Sequence, residues 1–200
     1  MLRHQTIQHL QGLEVAPELT DITTLIPFLK SMKENLNFKY LKIVADAGYE
    51  SEENYSFIEE NNQISFIKPS NYEISKTRKY KNDINRIDNM DYDSESDLFI
   101  CQNGKKLIAN GVKIRKSKTG YESVNTIYIC EDCSNCNYKS QCIKGNNSKI
   151  SLEKRTKKFE TSKKFNQQRK EYLERIITNE GILLRMNRSI QAEGSFAQVK

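Results

Sequence analysis

The stretch Leu41-Lys42-Ile43-Val44-Ala45-Asp46-Ala47-Gly48-Tyr49 constrains this chain more than any other. Its largely apolar first half reads as a buried strand, Leu41 to Ala45, with polar residues before it and a turn after it. Asp46 then falls at the carboxyl end of that strand, where α/β sheets place their chemistry. Taken alone, Asp46 reads equally well as a turn-forming aspartate. A helix is predicted from Glu52 to Asn61 with Ser51 as its N-cap, then a strand from Ile64 to Ile67 ended by Lys68-Pro69. Upstream, Gly12 to Pro17 is a candidate short strand, and Asp21 is expected to cap a helix running to about Asn35. Strand, helix and strand in this order imply an α/β fold with a partly parallel sheet.

From Leu98 the period changes. Leu98 to Cys101, Lys105 to Ile108, Val112 to Lys116 and Ser123 to Ile129 are short β-type runs. Asn103-Gly104, Asn110-Gly111 and Thr119-Gly120 separate them and carry hairpin-turn chemistry, so a β-meander is expected inside an α/β chain. Residues 70 to 97 are polar and read as a helix plus loop. Glu153 to Ile177 has helical composition without Gly or Pro, and a second helix is predicted from about Asn187 to the end. A chain of 200 residues is long enough for one sizeable core with one insert.

The 32 Lys and Arg against 26 Asp and Glu give a formal charge of +6, distributed unevenly. Asp83, Asp88, Asp91, Asp93, Glu95 and Asp97 face only Arg86 in their segment, whereas Lys105, Lys106, Lys113, Arg115, Lys116 and Lys118 form a block without acids. A second basic block covers 151 to 178. Such blocks suit a polyanion such as DNA, and equally a solvated Lys-rich surface. No apolar run is long enough to span a membrane and the N-terminus lacks the apolar core of a signal peptide, so a cytoplasmic protein is expected. His4 and His9 are the only histidines, both in the weakly patterned N-terminus, which argues against triad hydrolase chemistry. The phosphate-cradling glycine loop is missing as well. Carboxylate chemistry with a divalent metal is what remains.

Cys130, Cys133, Cys136 and Cys142 lie within 13 residues. Thiols at this density suit a tetrahedral zinc site, with unliganded reduced thiols, an iron–sulfur cluster or a disulfide as alternatives. Cys101, alone on a strand, reads as a small core residue. Near the end, Arg188, Glu193 and Lys200 lie on a helical stretch whose Ile190, Phe196 and Val199 are expected to face a core. Such a row could hold a metal through the acid and a phosphate backbone through the bases, or be an ordinary amphipathic face.

The segments Ala45-Asp46-Ala47-Gly48-Tyr49-Glu50-Ser51-Glu52-Glu53-Asn54-Tyr55 and Arg188-Ser189-Ile190-Gln191-Ala192-Glu193-Gly194-Ser195-Phe196 resemble the DDE transposases of bacterial insertion sequences. So do Asp21-Ile22-Thr23-Thr24-Leu25-Ile26-Pro27, Phe66-Ile67-Lys68-Pro69 and the placement of the cysteines; the branch most similar carries a β-rich, cysteine-containing insert. The resemblance implies an incomplete ribonuclease-H-like core over 1–69, an insert over 70–150 and the core's C-terminal helices over 151–200. It implies Asp46 and Glu193 as catalytic ligands of Mg²⁺ or Mn²⁺ and Lys200 as a DNA contact; Arg188, on the same helical stretch but one residue too far from Glu193 for the related signature, is a second candidate DNA contact. Double-stranded DNA, as transposon ends and target, is the implied partner, with room for a homodimer. The family's first catalytic aspartate and helical DNA-binding region belong upstream of Asp21, so a truncated C-terminal part is expected, inert by itself yet able to bind DNA. A ribonuclease-H-like nuclease and a non-catalytic, zinc-stabilised DNA-binding remnant are the rival readings.

Overall fold

The computed structural model describes residues 21–145 and 149–197, with backbone alone at position 21 and over 191–197. Strand β1 (Lys42–Ala45) and strand β2 (Ile64–Ile67) pair in parallel, Ile43 opposite Ser65 and Val44 opposite Phe66. Helix α2 (Glu52–Glu60) makes the crossover between them. It begins where expected because Ser51 is extended and its side chain accepts a hydrogen bond from the Asn54 amide at 3.1 Å. Asn62, with φ of 53°, lets the chain turn from α2 into β2.

Helix α1 (Leu25–Leu36) starts later than predicted: Asp21 opens a 3-10 turn, Asp21–Thr23, and Thr24 holds the cap position. A buried cluster of Leu25, Ile43, Tyr55, Ile58, Ile67 and Tyr172 joins α1, the two strands, α2 and helix α6 (Lys163–Ile176). Tyr55 and Tyr172 pack ring against ring at 4.2 Å. Helix α6 presents Phe165, Gln168, Tyr172 and Ile176, one helical stripe, to this core. Helix α7 (Asn179–Ala197) then packs across β1 and β2.

Two four-residue helices, α3 (Tyr72–Ser75) and α4 (Arg78–Lys81), lead into an antiparallel sheet of five strands. Its order follows the chain: β3 (Asp91–Asp93), β4 (Leu98–Ile100), β5 (Lys106–Lys116), β6 (Glu122–Cys130) and β7 (Lys158–Thr161). Three expectations give way here. Asn110-Gly111 is a bulge inside one long strand rather than a hairpin: Ala109 pairs with Tyr128 and Val112 with Thr126, leaving two residues opposite Ile127. Gly111 takes the positive φ of 94° that the bulge requires. The predicted helix from Glu153 loses its start to β7, because Phe159 packs on Phe99 and Tyr128 of the second core. Ser162, extended and accepting from the Phe165 amide at 3.2 Å, is the true N-cap of α6. Helix α7 likewise begins at Asn179, ahead of the predicted Asn187, where the Thr178 hydroxyl accepts from the Gly181 amide.

Ile190, expected to face a core, is exposed, as are Ile182, Leu183 and Met186 on the same helix. Phe196 and Val199 lie outside the described side chains, and the Gly12 to Pro17 strand and both histidines lie outside the described residues. Among the described residues, no helix is long and apolar enough to cross a membrane.

Helices α6 and α7 meet at Gly181, where an added Cβ would lie 2.4 Å from the Arg175 carbonyl oxygen and 2.7 Å from the Ile176 Cα. Backbone atoms cannot swing away as a side-chain tip can. Gly181→Ala is therefore expected to destabilise the fold by roughly 1–3 kcal/mol, the cost of overpacking. A lower urea midpoint at unchanged slope is the expected observation; an unchanged midpoint would show that the two helices separate freely.

Candidate active site and thiol pocket

Asp46 leaves β1 in extended conformation (φ −72°, ψ 166°), and its carbonyl accepts from the Tyr49 amide at 3.0 Å to close a 3-10 turn, Ala47–Tyr49. Its carboxylate stands 58% exposed at the carboxyl end of the strand. Arg188 of α7 donates from Nη1 to Asp46 Oδ1 at 2.6 Å. At the other end of the strand, Lys42 pairs with Glu180 of α7. Four strand steps from Lys42 to Asp46 span about 13 Å, and eight helix steps from Glu180 to Arg188 about 12 Å. The two ion pairs therefore align α7 with β1, running in the same direction. Glu193 lies five residues beyond Arg188 on the α7 backbone, about 7.5 Å further along the axis. Its side chain, and Lys200, lie outside what is described.

One buried group at this site escaped the sequence reading. Glu50, four residues past Asp46, accepts from Arg169 of α6 through both oxygens, Nε at 2.7 Å and Nη2 at 2.9 Å, and from the Ser70 amide at 2.7 Å. Burial would raise its pKa, but the hydrogen bonds from Arg169 and Ser70 hold it below the ordinary glutamate value of 4.5. The same pairing outweighs burial at Arg169 and holds its pKa up. The loop that carries Asp46 is thus tied to α6 and to the chain leaving β2. Its signal in the sequence was faint: a glutamate before a helix cap and an arginine on a helix many residues away.

The cysteines gather at the far end of the antiparallel sheet. Cys130, Cys133, Cys136 and Cys142 line one pocket of about 20 Å³, and Cys101, read from sequence as a solitary core residue, lines it too. Asn135, at φ 51°, turns the Cys133–Cys136 segment back on itself, and Cys142 ends a one-turn helix, α5 (Lys139–Cys142). Burial, and the neighbouring Cys133 and Cys101 thiols, push the Cys130 thiol up to about 12. Burial also raises Cys142, against the pull of Lys157. As the side chains stand, no three His, Cys, Asp or Glu groups among the described residues converge on a metal-binding point.

The basic block on β5 is partly neutralised. Arg115 and Lys113 both pair with Glu160 of β7, and Lys116 pairs with Glu122 across the hairpin.

Residues 100–200, half of the chain, match the model of a family described as the transposase DDE domain. The chain belongs to that family of transposases, whose substrate is DNA and whose chemistry depends on divalent metal. Comparison with curated proteins and with solved structures gives no match.

Glu50→Gln leaves the Arg169 guanidinium facing a neutral group. The expected loss is roughly 2–3 kcal/mol, below the 3–5 kcal/mol of a fully buried broken pair because Arg169 keeps some contact with water. A depressed carboxyl pKa means that the unfolded chain binds the proton more tightly than the folded one. The pair's contribution is therefore complete above the ordinary glutamate value of 4.5 and is lost as pH falls below it through the folded value. Urea titrations should show the gap between wild type and Glu50→Gln narrowing on acidification; a gap independent of pH would contradict the assignment.

Proposed function

We propose that this chain is the catalytic part of a bacterial insertion-sequence transposase, in which a ribonuclease-H-like core cuts and joins DNA strands by two-metal carboxylate chemistry. The observation that carries this is the alignment of α7 with β1 by Lys42–Glu180 and Arg188–Asp46, which brings the helix bearing Glu193 past the strand end bearing Asp46. Asp46 and Glu193 are the proposed metal-binding carboxylates.

The donor set fits a hard cation. Asp46 is an exposed carboxylate whose Oδ1 is held by Arg188, while Oδ2 accepts from no donor among the described residues. Divalent metal, when bound, supplies an activated water or 3′-hydroxyl and a counter-charge for the leaving oxygen. Arg188 neutralises Asp46 and fixes its rotamer, and it stands at the strand end, where a phosphate backbone would approach. Lys200 is proposed as a further DNA contact by the resemblance alone. For the pocket of thiols we propose a structural zinc ion that stiffens the β-rich insert.

Mn²⁺ binding followed by electron paramagnetic resonance tests the carboxylate assignment. Asp46→Asn and Glu193→Gln should each weaken binding by more than about 10-fold, because even outer-shell losses cost 10–100-fold at metal sites. Unchanged Mn²⁺ affinity in both variants would favour the non-catalytic DNA-binding reading, in which the Arg188–Asp46 pair is purely structural.

Affinity for linear duplex DNA should fall as salt rises, by about 0.9 in the log–log slope for each phosphate contacted. Because Lys113, Arg115 and Lys116 have acidic partners, Lys118→Ala should flatten the slope more than Lys113→Ala does. A slope of zero would remove the electrostatic interface.

A further inference from the structure

Cys130 and Cys101 both line the thiol pocket and both pack on the second core, but Cys130 is buried and Cys101 only half-buried. Cys130 ends β6 with 4% of its surface exposed, among Met90, Phe99, Leu107 and Tyr128, and its thiol donates to the Asp132 carbonyl at 3.4 Å. It forms the floor of the pocket. Cys101 sits at the mouth of a tight hairpin: its amide donates to the Lys105 carbonyl at 2.9 Å, and its carbonyl accepts from the Gly104 amide at 2.8 Å. Gly104, at φ 70°, permits that turn. Across the pocket, Cys133 and Cys136 flank a second tight turn, in which Asp132 Oδ1 accepts from the Ser134 amide at 2.8 Å. The Lys157 amide donates to Cys133 Sγ at 3.3 Å, a bond that stabilises a sulfur carrying negative charge.

We propose that one zinc ion is held by Cys101, Cys133, Cys136 and Cys142, and that Cys130 remains a thiol of the core beneath them. The proposal rests on the reading that the pocket holds zinc; the ligand set is what it adds. Three segments supply the thiols, the β4–β5 hairpin, the turn after β6 and α5, so a tetrahedron of sulfurs would clamp the sheet's end to the loop that follows it. The thiols do not converge as they stand, and each cysteine has one side-chain torsion by which its sulfur would turn toward a shared ion at about 2.3 Å. The pocket, at about 20 Å³, has room for a single ion.

The second observation is Lys157, 6% exposed beside the pocket. Its ammonium donates to the Asn85 carbonyl at 2.7 Å, to Asn85 Oδ1 at 2.5 Å and to the Cys142 carbonyl at 3.2 Å. None of these acceptors is charged. The nearby Asp83 is already shared by Lys144 and Arg86. A buried cation without an anion of its own is costly, and four thiolates on a divalent ion carry the negative charge that would offset it.

The test uses the full chain, reduced and then loaded with Zn²⁺ or Co²⁺ alone. Wild type should bind about one ion per chain, with a thiolate-to-cobalt charge-transfer band of four-sulfur intensity. Cys101→Ser should lower that intensity by about a quarter and weaken zinc by more than about 100-fold, beyond what outer-shell losses cost. Cys101→His, which keeps a ligand, should restore affinity with an altered cobalt spectrum. Cys130→Ala and Cys130→Val, two ways of filling the floor, should keep the wild-type band. If Cys101→Ser keeps the full band while both Cys130 variants lose it, the ligand set is wrong although zinc is right. Wild type that takes up no metal, or that carries iron in its place, overturns the zinc reading itself.

Discussion

The buried pair of Glu50 and Arg169 holds together parts of the chain that local structure alone would leave apart. Glu50 belongs to the turn after β1, Arg169 to the middle of α6, and Ser70, the third member, to the chain leaving β2. A carboxylate this deeply placed is tolerable only because both of its oxygens accept from charged or backbone donors. Arg169 also lies over the Phe165 ring, so the same side chain joins the ionic cluster to the aromatic one. The turn bearing Asp46 inherits its position from this cluster, four residues away. The proposed pairing of Asp46 with Glu193 would need such a support, since mutual repulsion of two carboxylates works against it.

Around that anchor the structure is organised as two sheets that share α6. Helix α2, the crossover of the parallel pair, packs against one stripe of α6 through Tyr55 and Tyr172, and Ile43 and Ile67 of the strands join the same cluster. The antiparallel sheet reaches it through Lys163, whose ammonium pairs with Asp97, a residue that also accepts from Tyr92 and Tyr128. The tip of the β5–β6 hairpin returns to α2, where Thr119 and Tyr121 donate to Glu53 and Glu52. These contacts are polar and many of them are exposed. They orient the sheet on the core, and the two separate apolar clusters supply most of the cohesion.

The elements legible from sequence were those with local cause. Ser51 caps α2, Pro69 follows the end of β2, and Gly104 and Gly120 take positive φ in hairpin turns, each for a reason contained within a few residues. β7 was missed because Lys-Phe-Glu-Thr carries little β signal until β6 offers it hydrogen bonds and Phe99 a ring to pack against. Asn110-Gly111 has the dipeptide of a hairpin, yet β6 continues past it, so the strand absorbs both residues as a bulge. Cys101 packs on the second core, as its place on a strand suggests; what local sequence does not show is that it also lines the thiol pocket, because the other four cysteines lie 29 to 41 residues away.

By itself, then, the sequence determined the βαβ unit, the meander, the position of Asp46 at a strand end and the placing of Glu193 on a long helix. Period, capping and turn chemistry act within a turn or a strand, and that is the range over which a sequence can be read. Only the tertiary structure decided which distant charges meet. It set Arg188 on Asp46, Glu180 on Lys42 and Arg169 on Glu50, and it partly neutralised the basic block by bringing Glu160 and Glu122 to three of its bases. It also put Cys101 into the thiol pocket and Cys130 beneath it. Such pairings depend on the register of strands and the direction of helices, which are fixed by burial of the two cores and not by the spacing of the residues that end up in contact.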